Sequence, residues 1–132
     1  MPQLSVATAE NQILPGEAYL EDTPVLAAHA GSQPDLFLRW NRIPATAASI
    51  DVVVHLHGFS REGRAMLLAE KVARCGLDLA GRTRPTLAML PRGNWIRHYA
   101  YDFPALLAGG IDQLIDYGLQ PVGRGRMAAL MV

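Results

Sequence analysis

Asp51-Val52-Val53-Val54-His55-Leu56-His57-Gly58-Phe59-Ser60 is the stretch around which the chain is organised. Four of its first six residues are Val or Leu, with no polar alternation. Such a run reads as a strand buried on both faces, the kind found in parallel sheets. It ends in His57-Gly58, where glycine permits a tight turn. A helical pattern follows, with Ser60 as its expected N-cap and Gly76 as its C-terminal cap. Strand, turn and helix form the unit on which α/β sites are built.

Working outward, the helix is expected over Arg64–Arg74, with Leu68, Val72 and Cys75 on the face it buries. Thr86-Leu87-Ala88-Met89-Leu90 reads as a second buried strand, ended by Pro91-Arg92-Gly93-Asn94. A polar-aromatic segment, Trp95 to Tyr101, comes next, and Asp102 is placed to cap a short turn near Pro104. Gly109-Gly110 interrupts, and Ile111, Leu114 and Ile115 then form a helical stripe ending at Gly118. Met127–Val132 reads as a third buried strand.

On the N-terminal side, Val25–Ala30 and Leu36–Trp40 read as a hairpin around Gly31-Ser32-Gln33-Pro34-Asp35. Residues 1–24 are an irregular lead-in, extended or forming a short edge strand. The expected fold is therefore α/β: a mainly parallel sheet with flanking helices and an N-terminal antiparallel hairpin, in one domain over residues 25–132.

Composition narrows the function. With twelve basic and twelve acidic side chains the formal charge is zero. A nucleic-acid or anionic-membrane surface would need clustered positive charge. Eleven of the cations are Arg, and Lys71 is the one Lys. Cys75 is the sole cysteine, which excludes an intrachain disulfide; it reads as a small buried side chain at a helix end. No stretch has the ~18 apolar residues of a membrane span, and the first residues lack a signal peptide's cationic start. The expectation is a cytoplasmic protein without a cofactor.

Three chemistries fit the central stretch unequally. The turn His57-Gly58-Phe59 after a hydrophobic strand, with the elements downstream of it, resembles the N-terminal half of an α/β-hydrolase, cut off before the nucleophile. The resemblance covers roughly residues 36–132 and implies that the Phe59 N–H helps to hold a developing oxyanion, with His57, Gly58 and Phe59 forming the turn. It also implies that Thr86–Leu90 is the next strand and Met127–Val132 the nucleophile strand. Hydrolysis of an ester- or amide-type acyl substrate is the implied activity. The family's nucleophile stands in G-x-S-x-G after that strand, and its acid and histidine come later still. The sequence contains no such motif, since Gly58-Phe59-Ser60-Arg61-Glu62 has Glu where the second Gly belongs. The chain by itself is therefore expected to be inactive. Ser60, Trp95, His98 and Tyr99 are candidates for a pocket beside the turn.

The second chemistry is a metal pair at His55 and His57, which share a strand face at i and i+2. No further His or Asp follows immediately, so no metal site is assigned. The third, a nucleotide site, lacks a phosphate loop: His57-Gly58-Phe59-Ser60-Arg61-Glu62-Gly63 fits neither glycine-rich pattern. A different class stays open, a non-enzymatic interaction module that meets its partner through Trp95–Tyr101. An apolar sheet edge at Met127–Val132 further predicts self-association or a partner chain.

Overall fold

The computed structural model describes residues 12–21, 23–26, 34–58, 63, 67–97 and 100–123. Its first sheet has four strands: β1 (Gly16–Leu20), β2 (Leu36–Trp40), β3 (Asp51–Val54) and β4 (Thr86–Pro91), in the spatial order β1-β2-β4-β3. β1 pairs antiparallel with β2, and β2 antiparallel with β4. β3 and β4 are parallel, with Asp51 opposite Thr86 and Val54 opposite Met89. The sheet is thus mixed, not mainly parallel, although its α/β character is as expected.

The crossover from β3 to β4 carries the helix α1 (Leu68–Cys75). Gly76 ends it with φ of 68°, a left-handed conformation that glycine adopts without strain. After β4 comes a small antiparallel ribbon, β5 (Asn94–Arg97) with β6 (Ala100–Asp102), and then a kinked helical stretch. Its first part is a wide turn over Leu106–Gly110, broken at Ala108 and Gly109; α2 (Ile111–Leu119) continues from it, and a short turn over Gln120–Val122 closes it.

Alternation along β2 and β4 divides the core in two. Leu36 and Leu38 of β2, with Leu87 and Met89 of β4, point to one face and pack with Phe103, Leu106, Leu114, Leu119 and Val122. Phe37 and Leu90 point to the other and pack with Leu68, Val72 and Cys75. The helices α2 and α1 therefore cover opposite faces, giving three layers. Each fully buried Leu contributes about 2 kcal/mol relative to exposure. Gly118 lets α2 approach the sheet, because a Cβ there would come within 2.5 Å of Met89 Cε.

Several expectations change. β4 is the strand buried along its whole length, whereas β3 is half-buried throughout. The reason is position: β4 lies between two strands, and β3 has only β4 beside it among the described residues. The antiparallel partners of Leu36–Trp40 are Gly16–Leu20 and β4, in place of the expected Val25–Ala30. Of the lead-in's two readings, the edge strand is the one found, at Gly16–Leu20. Val25 and Leu26 stand outside any strand, and 27–33 lie outside the described residues. Trp95–Arg97 and Ala100–Tyr101, a polar-aromatic segment to which the sequence assigned no element, are strand. α1 begins at Leu68 with Leu67 as its N-cap; the expected cap Ser60 and residues 64–66 lie outside the described residues. Met127–Val132, expected as strand and apolar edge, lies outside them too. Leu114 of the α2 stripe is buried as expected, but Ile111 is exposed.

Candidate functional site

The parallel pair β3–β4 brings the turn after β3 beside the end of β4. The His55 N–H donates to the Met89 carbonyl at 2.8 Å, extending the ladder past Val54. His57 then turns inward and is buried, 7% exposed. Its Nε2 accepts the backbone N–H of Gly93 at 2.9 Å, and its ring meets Phe103 edge-on at 5.4 Å between centroids. One side chain thus joins the β3 turn, the end of β4 and the start of the C-terminal helical stretch.

The accepting Nε2 fixes the chemistry of the ring. In a neutral imidazole only one nitrogen accepts, so the proton sits on Nδ1, which faces the Gly58 carbonyl at 3.4 Å. Burial pushes the ring's pKa down to about 4, and the nearby Lys71 ammonium pushes it the same way. His57 is therefore neutral at pH 7. Its accepting lone pair is already used, which rules it out as a general base or metal ligand in this arrangement. Among the described residues, no group of three or more His, Cys, Asp or Glu is placed to hold a metal.

Gly58, directly after His57, is exposed, and among the described residues no atom lies within 4 Å of where a Cβ would stand. The turn's backbone therefore faces open space at the carboxyl ends of two parallel strands, where ligands bind in α/β sheets. Phe59 and Ser60 lie outside the described residues, as do His98 and Tyr99. Trp95 is placed by its backbone, opposite Tyr101 in the β5–β6 ribbon. This ribbon begins at Asn94, one residue after the Gly93 that donates to His57. The ribbon's base is thus beside the turn.

Residues that the sequence did not single out complete this end. Gly93 supplies the donor, Phe103 the ring contact, and Arg92 donates its N–H to the Asp35 carbonyl at 2.8 Å. Buried Asp35 in turn accepts from the Thr23 N–H at 3.1 Å and from the Thr23 hydroxyl. A cavity of about 120 Å³ opens beside Arg92, Asn94, Asp102 and Phe103. These links span 12 to 57 residues of chain, and nothing local in the sequence marks them.

A larger groove, about 630 Å³, lies at the opposite end of the sheet, among Glu17, Arg39, Trp40, Arg42, Asp78 and Arg82. It is open, and much of its polar wall is engaged: Arg39 bonds Glu17 and the Leu77 carbonyl, and Arg82 bonds Asp51 and Thr86. Its size does not outweigh its position at the amino ends of β3 and β4.

Among the described residues no helix is long and apolar enough to cross a membrane. Comparison with protein-family models, with curated proteins and with solved structures found no match.

Proposed function

We propose that this chain carries the oxyanion side of an α/β-hydrolase-like acyl hydrolase, with the covalent machinery not furnished by its 132 residues. The observation that carries the reading is the His57–Gly93 hydrogen bond. It ties His57, the first residue of the turn, to the end of β4, and the next residue, Gly58, is exposed. A donor fixed before the reaction stabilises a developing oxyanion without reorganisation, which is the physical basis of such a hole.

The strand order supports the same reading. In α/β-hydrolases the oxyanion is shared between the N–H after the nucleophile and an N–H from the loop following the His-Gly strand. The nucleophile strand must then end beside that loop. β3 has β4 on one side and, among the described residues, none on the other. A further parallel strand would fit there, and Met127–Val132 is the segment whose sequence suits it.

Without a nucleophile, the hole alone supports only weak acceleration of ester hydrolysis. The test is an NMR titration with ethyl phosphonate, a stable tetrahedral anion. The amide signals of Gly58 and Phe59 should shift, and a fluorophosphonate probe should leave the protein unlabelled. Unmoved amides would remove the oxyanion assignment and favour an interaction module. Labelling lost on Ser60→Ala would overturn the inactive part of the proposal.

A further inference from the structure

His57 holds its turn by a bond that a proton would abolish. Its Nε2 accepts the Gly93 N–H at 2.9 Å, and a ring protonated at Nε2 carries donors on both nitrogens. Two N–H groups would then face one another at a buried position, where neither finds an acceptor in place. The charged groups around the ring press the same way. Lys71 on α1, His55 after β3 and Arg92 after β4 are all basic, and each disfavours a second proton on the closed ring. From the C-terminal side Phe103 brings an aromatic ring without charge, and the acid next to it in the chain is Asp102.

The ring also has a short way out. The β3–β4 ladder runs as far as the His55 N–H, which donates to the Met89 carbonyl at 2.8 Å. Beyond it, the residues on either side of His57, Leu56 and Gly58, are both exposed. The imidazole can therefore reach water by a movement of about three residues, with the ladder and both halves of the core in place. We propose that His57 is an acid-released latch: protonation of Nε2 breaks its bond to Gly93 and lets Leu56–Gly58 swing away from the end of β4 while the sheet stays folded. Closed, the ring has a pKa of about 4; in water it regains its ordinary 6.5. The closed turn is favoured in full above pH 6.5, and that advantage is lost as pH falls toward 4. The ratio of open to closed turn should rise about thirtyfold between pH 7.5 and pH 5.

What the latch controls rests on the hydrolase reading, since an oxyanion turn detached in acid loses its preorganisation. The latch itself does not depend on that reading, and the experiment separates the two. In native-state hydrogen exchange, corrected for intrinsic rates, the protection of the Gly93 amide should fall about thirtyfold from pH 7.5 to pH 5. Low concentrations of urea should barely change it, because a local opening exposes little surface. Core amides of β2 and β4 should stay better protected and show the full urea dependence of global unfolding. In His57→Gln, whose side-chain oxygen accepts but does not titrate, Gly93 should show no fall. Should that variant not fold, the native chain decides: the ¹⁵N shift of His57 Nε2 and the Gly93 amide shift must follow one titration curve. Constant protection at Gly93 overturns the latch. So does a fall that carries the full urea dependence of the core, or an equal fall in His57→Gln. Phosphonate shifts absent at Gly58 at pH 7.5 remove the hydrolase reading and leave the latch standing; constant Gly93 protection with those shifts present removes only the latch.

Discussion

At one end of the β3–β4 pair a neutral imidazole is buried between Gly93 and Phe103. At the other, Asp51 lies between the guanidinium groups of Arg82 and Arg84, at 2.8 and 3.0 Å, with both cations substantially exposed. The two ends stand only a strand length apart, yet different physics governs them. Around His57 a missing partner leaves a polar group in a place water cannot serve, so each contact is costly to remove. Around Asp51 water replaces a lost partner, and the ion pairs add little to stability. The larger groove lies at the Asp51 end, but preorganised polar groups lie at the His57 end, and catalysis needs preorganisation more than volume.

The largest test of this contrast is His57→Ala. The Gly93 N–H would lose its acceptor inside the protein, and Phe103 would lose its ring neighbour. An unsatisfied buried donor together with a small cavity should cost about 3 kcal/mol, read from the urea midpoint at constant m. A loss below about 1 kcal/mol would mean that the turn is not anchored here, and the rigid-hole argument would fall with it.

The second test uses pH. The folded pKa of His57 is about 4, below its ordinary 6.5. Between these values the unfolded chain binds the proton and the folded one does not. The stability is therefore full above pH 6.5 and is lost as pH falls toward 4. From pH 7.5 to 5 the native chain should lose about 2 kcal/mol, a loss that His57→Ala abolishes. Urea melts of both proteins across that window check it. A parallel decline in the two would assign the pH dependence to other groups.

The sequence made the strands with strong local patterns easy to read. Thr86–Leu90 is apolar after its first residue and is buried throughout. The helix face of Leu68, Val72 and Cys75 followed from spacing, as did the break at Gly109. β1 was harder: Gly16-Glu17-Ala18-Tyr19-Leu20 carries a period of two in its exposure, Glu17 and Tyr19 outward, but only five residues express it. The β5–β6 ribbon hid in a stretch whose aromatic residues suit a pocket and a strand equally well. The placement of β4 inside β3 has no local signal, because strand order is decided by tertiary packing. The same holds for the site. His57 and Gly58 stood out as a turn, while Gly93, 36 positions away, and Asp102 were found only once the fold had brought them there.

The smallest expected effect is that of Arg84→Ala. Arg84 is more than half exposed, and its Nε reaches both Asp51 oxygens, at 3.1 and 3.0 Å. Asp51 keeps Arg82, which bonds it at 2.8 Å and also holds the Thr86 hydroxyl at 2.7 Å. Together Arg84 and Arg82 hold the Asp51 carboxyl below the usual carboxylate range, Arg84 more strongly. Removing Arg84 should move the Asp51 titration upward, visible in its side-chain carbonyl NMR shift. The urea midpoint should stay within the scatter of repeat melts, because water competes for both groups of an exposed pair. The main-chain carbonyl of Arg84, which accepts from Asn41 Nδ2 at 2.8 Å and from the Thr86 hydroxyl at 2.9 Å, survives the substitution. A midpoint shift as large as that of His57→Ala would show the Asp51 end to be a structural anchor. The distinction between the two ends would then fail, and the groove beside Arg82 would regain its claim as the functional surface.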